Sequence, residues 1–332
     1  MTAPKLVFGA GTLMKSAGYN TAEEVKPVLE ALAEYGDLFT ELDTAAAYGE
    51  SEEYLGQVKA ASQFTIHTKA RGMRNPSPST KEVIIAEGKE SLCKLGVDQV
   101  DIYFMHCPDL RVPLEETLAG IDSLYQSGAF RRFGLSNYTA EQVEEVIRVC
   151  NSHGYVLPSA YQGNYNAVAC LAEDELLPLL RRHGIAFYAY SPIAGGFLAK
   201  KSAQLRQRSL QGRWESNKVA GQIYYAMYAD RPGYLEALDQ WHEIAAAEGV
   251  TAAEMAYRWV VHNSVLDAAL GDAVIVGPRN PEQIREIVAW IQKGPLSQEA
   301  AIKIETLWGP LKEHALPTNL EAFNMVNSRK AD

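Results

Sequence analysis

Long apolar runs are missing from this chain of 332 residues. No window approaches the roughly 18 uninterrupted apolar residues of a membrane helix. The opening "MTAPKLVFGAG" also has too short an apolar run for a signal peptide, so the expected location is cytoplasmic. Basic residues are scarce beside acidic ones, 31 against 41, giving a formal net charge of -10 and a pI near 5.3. That deficit argues against nucleic acid or an anionic membrane as partner, since both require a basic face, and favours a small molecule. Cysteine is sparse too: Cys93, Cys107, Cys150 and Cys170 show no CxxC spacing and read as free thiols in a reducing compartment. Neither HExxH nor HxxxH occurs, so no metal site is expected. The third glycine of the dinucleotide fingerprint is absent from "GAGTLM", which disfavours a doubly wound open sheet.

What is present is one pattern repeated: a short apolar run, a turn, then an amphipathic stretch. Strands are predicted at "KLVFGAG", "FTELDT", "FTIHTKA", "VDIYFMH", "RRFGLSN", "PSAYQGN", "IAFYAYSP" and "DAVIVG". Helices fall between them, among them "TAEEVKPVLEALAEYG", with Thr21 as N-cap and Gly36 as C-cap, and "STKEVIIAEGKESLCKLG", closed by Gly96. Eight βα units predict an α/β fold of the (β/α)8 TIM barrel type, which needs about 250 residues and leaves room for extras. One extra is a long loop at residues 194–232 after strand 7; the other is a C-terminal helical tail after Gly294. No low-complexity linker divides residues 1–332, so one domain is expected.

Active sites of such barrels lie at the C-terminal ends of the strands, so the polar residues that end apolar runs are the candidates. Asp43, Lys69 and His106 end strands, and Tyr48 follows Asp43 closely. Taken singly, a strand-end Asp is a cap or salt bridge, a His a core residue, and a Lys a solvated one; together they point to chemistry. Ser136, Asn137, Gln162, Tyr190 and Ser191 end later strands, where loop hydrogen bonding is the plain alternative.

The motifs "LDTAAAYG", "TKA", "FMH", "GLSNY", "YQGNYN" and "YAYSPIAGGFLAKK" occur in the order and spacing of the aldo-keto reductases. The sequence resembles their aflatoxin-aldehyde reductase branch in "MHCPD", "VPLEETL", "QGNYNA" and "GDAVIVG", over residues 6 to 312 or so. The resemblance implies a catalytic tetrad of Asp43, Tyr48, Lys69 and His106. Tyr48 would protonate the carbonyl oxygen as hydride reaches the carbon, Lys69 would ease release of that proton, Asp43 would keep Lys69 charged, and neutral His106 would orient the carbonyl. It also implies NADPH as cofactor. Ser136, Asn137 and Gln162 would bind the carboxamide and Tyr190 would stack on the ring. The run from Ser191 through Ile193 and Gly195 to Lys201 would follow the pyrophosphate, with Lys201 and Arg213 supplying charge. Arg279 in "VGPRNPEQIREI" would meet the 2'-phosphate, an assignment supported by the poor fit of a cation at a helix start. Gln283 and Glu286 would face the adenosine, though Ile287 stands where the family usually has asparagine.

The expected function is therefore NADPH-dependent reduction of aldehydes, and some ketones or dicarbonyls, to alcohols. Two other classes stay open: an NADPH-binding regulatory subunit with little turnover, and a barrel lyase using Lys69 as a Schiff-base lysine. A homodimer is compatible with the resemblance. In the resembling branch an arginine of the long loop can hold a substrate carboxylate; here the stretch reads "IYYAMYADRP". Tyr224, Tyr225 and Tyr228 are candidate substrate contacts, with Arg231 the only nearby cation, so neutral aromatic or dicarbonyl substrates are expected. The plain alternative makes these tyrosines one packed helix face.

Overall fold

Eight short runs rich in valine, isoleucine, phenylalanine and tyrosine become strands because such side chains pack well on a pleated surface. In the computed structural model, which describes residues 3–328, they are β1 Lys5–Gly9, β2 Phe39–Asp43, β3 Thr65–Ala70, β4 Val100–Met105, β5 Phe130–Ser136, β6 Pro158–Asn164, β7 Ala186–Tyr190 and β8 Ala273–Val276. Each pairs in parallel with the next and β1 pairs with β8, closing the barrel in chain order. The eight strands and the (β/α)8 architecture are as the sequence predicts.

The helices are α1 Lys26–Ala33, α2 Ser51–Gln57, α3 Lys81–Leu95, α4 Leu114–Gln126, α5 Ala140–His153, α6 Leu176–Arg182, α7 Ser202–Arg206, α8 Val219–Tyr224, α9 Tyr234–Glu248, α10 Ala252–Arg258, α11 Pro281–Ile291, α12 Gln298–Leu311 and α13 Asn319–Ser328. α3 begins with the Thr80 side chain accepting from the Val83 N–H and ends at left-handed Gly96, as expected of that stretch. α1 is a correction. Thr21 does not cap it, and Gly36 is not its C-cap. A tight turn at Glu23–Val25 leads into the helix at Lys26, and the helix ends at Glu34 in ordinary right-handed backbone. Pro27 accounts for the late start, since its ring suits only the first turn of an α-helix. The segment after β7 carries α7, α8 and a π-helical turn at Tyr225–Ala229, and α12 and α13 form the tail. Among the described residues no helix is long and apolar enough to cross a membrane.

Alternation along each strand divides the core in two. Leu6, Phe8, Leu42, Ile66, Tyr103 and Met105 face the helices, while Val7, Ile102, Phe104, Ala160, Tyr188 and Ile275 fill the barrel. Polar side chains lie at both ends of that filling. At the floor, His67 is fully buried, bonds Glu41 at 2.8 Å through Nε2, and accepts the Ile102 N–H at Nδ1. Lys5 pairs with the same carboxylate, and Arg132 pairs with Asp101. Burial alone would raise the Glu41 carboxyl, but the contacts from His67 and Lys5 outweigh it and hold it at about 2, below its ordinary 4.5.

A carboxyl depressed on folding contributes stability above its unfolded value, and that contribution is lost as pH falls toward the folded one. The wild type is expected to lose on the order of 3 kcal/mol between pH ~4.5 and pH ~2 through this group. Urea unfolding at pH 7 and pH 3 should show Glu41→Gln markedly less stable at pH 7 and closer to wild type at pH 3. An equal gap at both would remove Glu41 from the acid response.

Candidate active site

Toward the C-terminal ends of the strands the inward positions are polar: Asp43 ends β2, Lys69 lies near the end of β3, His106 follows β4, Ser136 ends β5, Gln162 lies in β6 and Tyr190 ends β7. All but Lys69 line a cavity of about 650 Å³ at the C-terminal mouth, a size usual for a small-molecule site.

Lys69 has no exposed surface. Its ammonium donates to Asp43 Oδ2 at 2.6 Å and to the Thr44 carbonyl at 2.7 Å. The other carboxylate oxygen accepts from Gln162 Nε2 at 2.9 Å, so Asp43 is held from two sides. The same ammonium lies 5.1 Å from the centre of the Tyr48 ring. Tyr48 is half-buried in the turn after β2, where its N–H bonds the Ala45 carbonyl and Gly11 packs on its ring. The ring meets His106 edge-on, with centres 5.5 Å apart. His106 is buried, and its Nδ1 has no hydrogen-bond partner. Burial first, then the charges of Arg74 and Lys69, push its imidazole well below the usual histidine value, so it is neutral at physiological pH. A neutral imidazole carries one N–H to donate without competing for a proton. The structure thus brings the four candidate residues together.

The second set surrounds them. Asn137, in left-handed backbone, donates to the His106 carbonyl at 2.9 Å and to Ser136 Oγ at 3.0 Å, and accepts the Tyr190 hydroxyl at 2.9 Å. Ser191 and Ala194 are also left-handed, as are Gly195 and Gly196. Such backbone is strained for side chains other than glycine and asparagine and concentrates at binding sites. At Gly195 a Cβ would lie 2.1 Å from the Tyr224 ring, so only glycine lets the loop pass beneath it. Trp214 stacks on Tyr224 and donates Nε1–H to the Gly195 carbonyl at 2.9 Å, tying the long loop down over this segment. Ile193, Arg213, Arg279, Gln283, Glu286 and Ile287 line the same cavity.

Three assignments move. Lys201 is absent from the cavity wall; its Nζ lies 3.5 Å from His242 beside a separate small depression, and the neighbouring Lys200 faces the cavity instead. Tyr225 and Tyr228 are buried behind the wall, Tyr228 bonding Asn164 and Asn166, so of the candidate substrate tyrosines only Tyr224 reaches the cavity. Arg231 is likewise off the wall, its Nε bonding the Ala226 carbonyl and a guanidinium nitrogen touching Met325. The packed-face alternative describes this stretch better, because the π-helical turn rotates Tyr225 and Tyr228 inward. Sequence reasoning also missed Arg74, which lines the mouth after β3, and Asn319 and Phe323 from α13. A cation a few residues beyond the β3 terminus was the available signal for the first; the tail gave none. Among the described residues no group of three or more side chains could hold a metal.

Lys200, Arg213 and Arg279 share one side of the cavity without an ion pair among the described residues. Burial first, then the Arg279 charge, lowers the Lys200 ammonium below its usual value. Two cations that close, neither of them in an ion pair among the described residues, fit a phosphorylated ligand.

Comparison with known proteins agrees with this geometry. Residues 5–308 match the Aldo/keto reductase family. Oxidoreductase sirO of Leptosphaeria maculans is 37% identical over 322 residues, covering 94% of this chain and 96% of that protein. Human aflatoxin B1 aldehyde reductase member 2 is 36% identical over 283 residues, 81% and 78% of the two chains, and human aldo-keto reductase family 7 member A3 is 34% identical over 319 residues, 92% and 94%. With a closed eight-stranded barrel, a polar mouth built on its strand ends and a family match over nearly its full length, this chain belongs to the aldo/keto reductase family and is an oxidoreductase of carbonyl compounds.

Proposed function

We propose that the protein is an NADPH-dependent reductase of aldehydes, and of some ketones and dicarbonyls, with Tyr48 as general acid. What carries the proposal is the chain of contacts from Asp43 through the buried Lys69 ammonium to the Tyr48 ring, facing a neutral His106. When bound, the nicotinamide supplies the hydride. The cavity fits it, with the left-handed run Ala194–Gly196 allowing close approach and Lys200, Arg213 and Arg279 supplying positive charge.

The protein's own work is to place and protonate the carbonyl oxygen. A phenol holds its proton tightly at neutral pH, near pKa 10. An ammonium beside the ring stabilises the phenolate left behind and so eases the transfer. Lys69 can supply that charge only while it is itself stabilised inside the barrel. An opposite charge at ~4 Å provides about 4 kcal/mol at an effective dielectric of 20, and Asp43 is nearer than that. His106 donates to the oxygen and aims it at Tyr48 without adding charge of its own. Asn137 fixes His106 through its carbonyl and Tyr190 through its hydroxyl, so the stacking ring and the donor are set by one side chain. Lys69 Nζ is already engaged by Asp43 and the Thr44 carbonyl, which disfavours a Schiff-base role.

Tyr48→Phe is expected to lower kcat by about 10²- to 10⁴-fold with NADPH binding nearly intact. Asp43→Asn should also slow turnover, and the double variant should be far from additive because both act through Lys69. A panel of aldehydes followed by loss of NADPH absorbance checks this. Tight NADPH binding with no turnover on any of them would replace the enzyme by a regulatory subunit.

Arg279→Ala should weaken NADPH much more than NADH, since a charge-assisted contact to the 2'-phosphate exists in only one of them. Lys200→Ala should share that selectivity, whereas Lys201→Ala should change neither. Fluorescence titration with both nucleotides measures it, and equal weakening of the two would place the 2'-phosphate elsewhere.

A further inference from the structure

The rim after β3 and β4 carries three arginines, Arg71, Arg74 and Arg111, and two of them have partners. Arg71 Nη1 lies 2.6 Å from Glu87 Oε1. Arg111 grips Asp109 at 2.7 and 2.8 Å and also donates to the carbonyls of Asn75, Pro76 and Ser77. Asp109 in turn accepts the N–H and the hydroxyl of Ser79, each at 2.9 Å. The segment from 71 to 79 is therefore anchored along its length. Arg74 stands inside it without an ion pair among the described residues. Its Nε is buried with no hydrogen-bond partner, and its side chain lines the cavity with Asp43, Tyr48 and His106.

Gly72 explains how an arginine comes to stand there. Its φ is +58°, and a Cβ would lie 2.2 Å from the Cys107 carbonyl oxygen. The turn Gly72–Arg74 consequently packs against the chain just beyond β4, next to His106. A buried guanidinium N–H without an acceptor is rare in folded proteins because it forfeits its hydration. The planar fork of arginine matches a carboxylate. An anchored loop that puts an arginine without an ion pair on the wall of the site is preorganised for an anion.

Position decides which anion. In a ring of eight strands in chain order, β3 lies opposite β7. Lys200, Arg213 and Arg279 follow β7 and β8, whereas Arg74 follows β3, across the mouth from the proposed cofactor phosphates. We infer that Arg74 determines substrate specificity by holding the carboxylate of small oxo acids whose carbonyl, a few bonds away, lies at Tyr48 and His106. This deepens the reductase function proposed above and rests on it. It also revises the expectation of neutral substrates, which was founded on the lack of a cation facing the site in the stretch after β7. The cation comes from the opposite rim.

The test compares a four-carbon oxo acid with its methyl ester, so that the carbonyl stays the same. The wild type is expected to show a higher kcat/KM for the acid. Arg74→Gln should lower the acid's kcat/KM on the order of 10- to 100-fold, mainly through KM, and lower the ester's much less. Arg74→Lys should recover part of the loss, since it restores the charge without the fork. Nε has no partner in the protein, so the substitution breaks no hydrogen bond there. Calorimetric titration with succinate, which has no carbonyl to reduce, reads the site without turnover: the wild type should bind it and Arg74→Gln should not. Equal losses for acid and ester, no wild-type preference for the acid, or equal succinate binding by both proteins would overturn the assignment. If succinate binding requires Arg74 while neither carbonyl is reduced, the anion site stands and the reductase function fails.

Discussion

A lysine with no exposed surface has to find its counter-charge inside the protein, and the mouth of this barrel is organised around that demand. Asp43 answers it from the neighbouring strand, and β2 and β3 pair directly, with Asp43 in register with His67. Adjacent parallel strands bring the two side chains within hydrogen-bond reach without any loop having to be placed. The remaining oxygen of Asp43 then needs a donor, which Gln162 provides from β6 across the barrel. The pair therefore ties together strands that are not neighbours. Removing either partner would leave a buried charge uncompensated, a loss larger than the pair's net contribution to stability.

The two ends of the barrel interior treat polarity differently. At the floor, Glu41, His67, Asp101 and Arg132 satisfy one another, and nothing there is left over for a ligand. At the mouth, His106 Nδ1, Arg74 Nε and Asn319 Oδ1 are buried without partners, and all three residues line the cavity. Phe104, Ile102 and Val7 separate the two regions. Of the five buried side-chain atoms without partners among the described residues, the other two being the Tyr103 and Tyr225 hydroxyls, three gather on this one cavity, where another molecule can complete the bonding.

Legibility followed the same division. The strands and the residues that end them could be read from the sequence because a strand's inward positions recur every second residue, so a polar residue closing an apolar run announces where it points. Asp43, Lys69, His106 and Gln162 are all of that kind. Lys200 and Lys201 could not be told apart, because in an irregular turn the phase of adjacent side chains is set by local backbone. Tyr225 and Tyr228 read as a potential wall, yet a π-helical turn rotated them into the core, and nothing in "IYYAMYADRP" specifies that turn. Arg74 depends on a contact between Gly72 and Cys107, residues on different βα units. Asn319 and Phe323 reach the cavity only because the tail folds back over α8 and its π-helical extension, a long-range event with no local pattern.

The chain is acidic, with a formal net charge of -10, while the cations Lys200, Arg213, Arg279 and Arg74 are gathered on the wall of one cavity without an ion pair among the described residues. Concave low-dielectric walls focus the field of such charges into the opening. An anionic molecule is repelled by most of this surface and drawn in at one place, so fewer of its encounters are wasted on the wrong face. That contrast operates over about 8 Å at physiological ionic strength. Entry of an anion into this mouth would consequently be salt-sensitive, decided before it touches any side chain of the cavity.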